Sequence, residues 1–115
     1  MTDKQDFLVL VTSAGLGQGE PDLGEKLLTS FLKILLDSSQ FPDRMIFINS
    51  GIFLTTAGSP LFDIIKQFEL RGAGILSCST CLDYYGRTDK LIVGRPTNMR
   101  ETVNALISFR KVITI

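Results

Sequence analysis

The chain has 115 residues, 44% of them hydrophobic, which predicts one folded domain over residues 1–115 with a core of its own. Twelve basic and twelve acidic residues make the chain formally neutral, which argues against a nucleic-acid partner and leaves little repulsion between copies. The chain contains no histidine, and this excludes Ser-His-Asp and Cys-His catalytic groups as well as histidine metal sites.

The first half of the chain predicts a strand, a glycine-rich loop, a helix and a second strand. The apolar runs FLVLVT (7–12) and RMIFIN (44–49) are typical of buried strands, and SAGLGQGEP is typical of a loop. Asp22 and Glu25 have the spacing of a capping box, before a helix whose apolar residues recur as far as Ser38. The segment SGIFLTTAG is expected to form a loop or a turn.

The second half continues the alternation. Ser59 and Pro60 predict the start of a helix that ends at Gly72. Asn98 and Glu101 have the spacing of a cap for the last helix. The runs AGILSC and RKVITI predict a third strand and a closing strand, TCLDYYG predicts a short helix, and KLIVG is expected to add a short strand.

Strands that alternate with helices predict an α/β fold: three α/β/α layers around a mainly parallel sheet of about five strands. Continuous apolar strands agree with this, because the strands of such a sheet are covered on both faces. Ligands bind beyond the carboxyl ends of parallel strands. The residues at those ends are small and polar apart from one thiol: Thr12 and Ser13, then Asn49, Ser50 and Gly51, then Ser77 and Cys78.

The two cysteines of the chain, Cys78 and Cys81, lie where the third strand is expected to turn into the short helix. Free N–H groups at the start of a helix stabilise a thiolate, so the pKa of Cys78 is expected to fall below about 8.5. Cys81 is expected on the same side of the helix, as a resolving thiol or a second carrier. The alternative is that either cysteine packs as a small apolar side chain.

Redox, nucleotide-binding and zinc motifs match the sequence less well. Cys-x-x-Cys beside a βαβ unit suggests a thioredoxin-like redox site, but that motif follows the first strand of its fold and this one follows the third. Gly15 to Gly19 reads Gly-x-Gly-x-Gly and is not a dinucleotide-binding fingerprint, and no P-loop sequence is present. Two cysteines alone do not close a zinc site, although four thiols across a dimer would. No metal or cofactor is expected.

Membrane and export signals are not found either. The apolar runs are too short to span a bilayer, and the N-terminal stretch MTDKQDF lacks the apolar centre of a signal peptide. We therefore expect a cytoplasmic protein with no membrane partner. Because thiols stay reduced in the cytoplasm, Cys78 and Cys81 are not expected to form a structural disulfide.

Four segments together resemble the DsrE/DsrF-like family, over about Phe7 to Ile115: SAGLGQGEPDLGEKLLTSFL, IFINSGI, GILSCSTCLDYYG and LIVGRPTNM. They are most similar to the C-terminal domain of YedF-type proteins, which are sulfurtransferase-like and associated with selenium metabolism. The resemblance implies an α/β/α domain with a mainly parallel five-stranded sheet. It also implies homo-oligomers or hetero-oligomers.

The resemblance further implies a role for Cys78. In sulfur carriers of this family, such as TusD and DsrE, the carrier cysteine precedes a short helix and lies eight positions before a glycine, and Cys78 has this offset to Gly86. The expected partner is a TusA-type carrier protein. YedF-type proteins usually bear a TusA-like domain that this sequence does not show, so the donor is expected in trans. Those carriers often place arginine just before the glycine, where this chain has Tyr85, with Arg87 after it.

The sequence therefore predicts a sulfur or selenium carrier, or a sulfurtransferase-like protein, in which Cys78 takes sulfane sulfur and hands it on. Cys81 would assist it. Two alternatives stay open: a dithiol redox protein that uses both cysteines, and a non-enzymatic oligomeric binding module in which they are packed. Hydrogen bonds to the sulfur or to the partner are expected from Thr12, Ser13, Asn49, Ser50, Gly51 and Asn98.

Overall fold

The computed structural model describes residues 6–115, so most of the polar N-terminal stretch lies outside the described residues. Strands and helices alternate along this part of the chain, as predicted. In chain order they are β1 (Phe7–Val11), α1 (Pro21–Asp37), β2 (Arg44–Phe47), a 3₁₀ helix (Asn49–Leu54), α2 (Phe62–Leu70), β3 (Gly74–Cys78), α3 (Ser79–Tyr84), a short 3₁₀ turn (Thr88–Lys90), β4 (Arg95–Thr97), α4 (Met99–Ser108) and β5 (Lys111–Thr114).

The five strands form one sheet in the order β4-β3-β2-β1-β5, and every pair is parallel. The predicted α/β fold is therefore confirmed. In the register of the three central strands, Val11 pairs with Phe47 and Phe47 pairs with Ser77. The residues that follow these three positions consequently share one edge of the sheet.

The sheet is covered on both faces because alternate residues of each buried strand point to opposite sides. One face packs under α1, α2 and α3, and the other packs under α4. The first cluster joins Val9, Val11, Met45, Phe47 and Ile75 to Leu28, Leu32, Ile65, Phe68 and Leu82 of the helices. The second joins Leu8, Leu10, Ile46 and Leu76 to Ala105 and Phe109.

Two of the three predicted helix starts are wrong. The N-cap of α1 is Glu20, with proline at the first helical position, so Asp22 and Glu25 lie inside the helix and form no capping box. The Asp22 carboxylate accepts the N–H of the adjacent Leu23 instead. The third start is confirmed: Asn98 caps α4, and its Oδ1 accepts the N–H of Glu101 at 2.8 Å.

The start of α2 was placed too early. The helix begins at Phe62, and the Ser59 hydroxyl accepts the N–H of Leu61 in the turn before it. Serine stabilises such turns as readily as it caps helices, so Ser59 alone does not distinguish a turn from a helix start. The predicted stop is confirmed, since Gly72 has φ +108° directly after the last turn.

The run KLIVG does not form the predicted strand. Leu91 makes only an isolated antiparallel bridge with Thr56, and the edge strand begins at Arg95. A Cβ on Gly94 would lie 2.1 Å from the carbonyl oxygen of Ile75, so the chain passes tightly over β3 at this point. Val93 of this run is buried in the core and Leu91 packs against the core, whereas Ile92 is 41% exposed.

Among the helices of residues 6–115, none is long and apolar enough to cross a membrane.

Candidate functional site

The two cysteines lie at the carboxyl edge of the sheet, as predicted. Cys78 ends β3 and is the N-cap residue of α3, and Cys81 lies one turn later in that helix. Leu82 anchors the helix in the core, and the Ser79 hydroxyl donates to the carbonyl oxygen of Thr97 on the neighbouring strand. Both thiols are free and close enough together to interact.

The surroundings of the two thiols differ. Cys78 is buried, with 4% of the residue exposed, whereas Cys81 is only partly buried. The Cys81 sulfur accepts the backbone N–H of Asn49 at 3.0 Å. Cys81 also faces a pocket of about 390 Å³, so it is the thiol that an incoming molecule meets. The pocket is lined by Asn49, Thr80, Cys81, Tyr84 and Tyr85.

The electrostatics of Cys81 follow from this arrangement. Burial raises the pKa of the Cys81 thiol above its ordinary value, and the neighbouring Cys78 thiol raises it further. The N–H of Asn49 opposes both effects, because it donates to the sulfur and favours the thiolate.

The backbone of Asn49 is held in an unusual conformation beside the thiols. Asn49 has φ +54°, a left-handed conformation that asparagine tolerates better than most residues. Its Oδ1 accepts the hydroxyl of Tyr85 at 3.3 Å. The Tyr85 ring in turn packs on Phe53 and Tyr84, with centroids 4.7 and 5.1 Å away. Aromatic contacts therefore join the 3₁₀ helix to α3 around the pocket.

Arg87 supports this aromatic group from outside the pocket. Its guanidinium carbon lies 4.6 Å from the centroid of the Phe53 ring. The same group donates to the Thr56 hydroxyl at 3.2 Å and to the carbonyl oxygen of Ala57 at 3.0 Å. The arginine is thereby engaged in holding the loop after the 3₁₀ helix.

Among the predicted hydrogen-bonding residues, Asn49 is the one that donates a hydrogen bond to a thiol, that of Cys81. Ser13 and Ser50 line a different pocket of about 620 Å³ together with the glycine-rich loop. In that pocket the Ser50 hydroxyl accepts the N–H of Ala14, and the Ser13 hydroxyl donates to the carbonyl oxygen of Gly15. These two serines therefore stabilise the loop after β1.

Thr12, Gly51 and Asn98 have structural roles in the fold. The Thr12 hydroxyl donates to the backbone oxygen of Ile115 at 2.6 Å. Gly51 packs so tightly on β1 that a Cβ there would lie 2.7 Å from the carbonyl oxygen of Val11, and its N–H already donates to Ile48. The Asn98 side chain is engaged in capping α4.

Sequence reasoning left Thr80, Tyr84 and Tyr85 out of the site. The tyrosines follow Cys81 by three and four residues, which places them beside it on a helix surface. That spacing was a usable signal. The sequence placed Asn49 at this edge of the sheet but did not predict that its backbone N–H would meet Cys81, because that contact depends on how the 3₁₀ helix meets α3.

Within residues 6–115, no three histidine, cysteine, aspartate or glutamate side chains come together as a set of metal ligands.

Comparisons with known proteins support the fold. The E. coli YchN protein superimposes with a TM-score of 0.68 at 16% identity, covering 97% of this chain and 100% of YchN. A protein of unknown function from Methanobacterium thermoautotrophicum gives 0.71 at 14% identity, covering 96% and 99% of the two chains. A conserved protein of unknown function from Bacteroides thetaiotaomicron gives 0.66 at 14% identity, covering 96% of each chain.

No family model and no curated protein matches the sequence. The chain therefore has a DsrE/YchN-like fold, and the YedF-type branch stays a prediction from the sequence.

Proposed function

We propose that this protein carries sulfane sulfur, or selenium in its place, on the thiol pair Cys78 and Cys81 and hands it to a partner. The observation that carries the proposal is the pair itself: two free, interacting thiols at the carboxyl edge of a parallel sheet, with Cys81 open to a pocket. The DsrE/YchN-like fold and the sequence resemblance both support a sulfur-relay-like role.

The chemistry needs no cofactor. A cysteine thiolate attacks the outer sulfur of a donor persulfide, and the donor leaves as a thiolate. Cys78 is the thiol that holds the transferred sulfur, as the resemblance implies. Its burial favours this role, because a persulfide there is shielded from reductants in solution.

The partner is a TusA-type carrier protein acting in trans, and the protein itself is a homo-oligomer. An exposed apolar stripe on α4 supports association between copies: Met99, Val103 and Ile107 follow one another at four-residue spacing and are 57%, 44% and 78% exposed.

The proximity of the thiols also favours a second function, that of a dithiol redox protein. Cys78 and Cys81 are both free, and each thiol is near enough to affect the other, as the attacking and resolving thiols of a redox pair must be. In that case a two-electron oxidant would remove two hydrogens from the pair, and no sulfur would be retained.

The intact mass of the protein distinguishes these functions. The reduced wild-type chain and the Cys78→Ser/Cys81→Ser chain are incubated with a small persulfide donor and weighed by mass spectrometry. We expect a gain of one sulfur atom in the wild type, reversed by a thiol reductant, and no gain in the double variant. A loss of two hydrogens without added sulfur would support the redox function instead.

A further inference from the structure

The two thiols differ in how a donor can reach them. Cys78 is 4% exposed, whereas Cys81 is partly exposed and lines the 390 Å³ pocket. A thiol must collide with the donor persulfide to react, so access decides which cysteine reacts first. The resemblance alone would have assigned that step to Cys78.

The N–H of Asn49 suits Cys81 for a transient role. It donates to the Cys81 sulfur at 3.0 Å, so it stabilises negative charge on that atom. Charge is present there when the thiolate attacks a donor and again when Cys81 is displaced from a persulfide. The same hydrogen bond therefore assists both the arrival and the departure of the sulfur.

The pocket in front of Cys81 has an uncharged lining. Its polar groups are the Asn49 amide, the Thr80 hydroxyl and the tyrosine hydroxyls, and Arg87 is engaged with Phe53 and the following loop. An anionic donor would lose hydration in this pocket without gaining a cationic partner. The lining thus suits a persulfide borne on an uncharged, partly apolar segment.

We propose, building on the function above, that Cys81 receives the sulfur from a persulfide on an uncharged segment of the donor and then passes it to Cys78. Cys81 first loses its proton to water. Its thiolate attacks the outer sulfur of R–S–SH; the S–S bond of the donor breaks, R–S⁻ leaves, and Cys81–S–SH forms. Cys78 then gives up its proton as its sulfur attacks that outer sulfur; the S–S bond of Cys81–S–SH breaks, Cys78–S–SH forms, and the Cys81 thiolate that leaves takes up the proton. Neither step requires an oxidant or a reductant.

Initial rates of sulfur uptake test the order of the thiols. The donor is the persulfide of N-acetylcysteine methyl ester, and uptake is followed by intact mass with peptide mapping. We expect Cys81→Ser to take up sulfur roughly tenfold or more slowly than the wild type, and Cys78→Ser to accumulate the sulfur on Cys81 because the second transfer is lost. In the wild type, sulfur should appear on Cys81 first and then on Cys78.

Charge discrimination is tested with a matched donor, the same persulfide with a free carboxylate. Rates for both donors are divided by their rates with 2-mercaptoethanol, an uncharged thiol, which removes intrinsic reactivity. The ester should be favoured several-fold by the wild type. Tyr84→Lys, which adds a cation at the rim, should reduce that preference. An equal or reversed preference in the wild type would overturn the assignment of an uncharged donor.

The outcomes separate this inference from the function on which it rests. If Cys81→Ser takes up sulfur at the wild-type rate, Cys78 reacts first; the order is then overturned while the carrier function stands. If the wild type takes up no sulfur, both the order of the thiols and the carrier function are overturned. Cys81→Ala and the urea midpoint of each variant show whether slow uptake reflects the lost thiol or a damaged fold.

Discussion

At the residue scale, the behaviour of the site depends on the unequal surroundings of two thiols. Cys78 is buried at the end of β3, whereas Cys81 faces a pocket and accepts the N–H of Asn49. Asn49 can present that N–H because it adopts a left-handed φ of +54°. Asparagine tolerates this conformation, and its side chain is fixed by the Tyr85 hydroxyl.

This arrangement predicts the pH dependence of Cys81. Burial and the Cys78 thiol raise the pKa of Cys81, so its thiolate forms only at higher pH. The rate of alkylation by iodoacetamide at Cys81, read by peptide mapping, should reach half its maximum at a higher pH than for the same cysteine in the urea-unfolded chain. Cys78→Ala should move that midpoint downward, because one of the two causes is removed. An unchanged midpoint would show that the thiols are not coupled.

At the scale of elements, short hydrogen-bonded junctions hold the site. The 3₁₀ helix meets α3 through Asn49 and the aromatic side chains, and β4 is joined to α3 by the Ser79 hydroxyl. The cap of α4 lies next to the same edge of the sheet. Asn98 accepts the N–H of Glu101, which is one half of a capping box. The Glu101 side chain accepts the Thr97 hydroxyl instead of the N–H of Asn98, so the other half is not formed.

Removal of this cap should destabilise the protein. Asn98→Ala deletes the acceptor for the N–H of Glu101, which costs about 1 kcal/mol in the free energy of unfolding. Asn98→Asp keeps an oxygen at this position and places a negative charge at the helix start, so it should retain wild-type stability. Urea unfolding measures both variants. Equal losses for alanine and aspartate would contradict the assigned hydrogen bond.

The order and type of the elements could be predicted because apolar runs and helical spacing are local properties. The helix starts at Asp22 and Ser59 could not be predicted reliably, since those side chains accept nearby N–H groups in turns and inside helices as well as at caps. The segment before Gly94 was misassigned because its close passage over Ile75 is a tertiary contact. The difference in burial between Cys78 and Cys81 also depends on tertiary packing, so the sequence alone does not predict it.

At the scale of the whole molecule, the two faces of the sheet are covered unequally. Three helices pack on one face and α4 alone packs on the other. The outer surface of α4 carries the exposed apolar stripe, and Leu23 and Leu27 of α1 are also about half exposed, at 51% and 45%. The formal neutrality of the chain leaves little charge repulsion to oppose association through such surfaces.

This predicts that a charge on the α4 stripe weakens self-association. Ile107 is 78% exposed, so Ile107→Lys should leave the fold intact while placing a charge on the surface proposed to join the copies. Light scattering coupled to size-exclusion chromatography should show a lower mass than for the wild type. Asn104→Lys adds the same charge to an exposed polar position of α4 and should retain the wild-type mass. A monomeric wild type would contradict the proposed homo-oligomer.

The central claim is that the thiol pair of Cys78 and Cys81 holds sulfane sulfur. Cyanide removes such sulfur as thiocyanate, which can be counted per chain after loading with the donor and removal of its excess. We expect close to one thiocyanate per wild-type chain and none from Cys78→Ser/Cys81→Ser. A wild-type chain that releases no more thiocyanate than the double variant would contradict it.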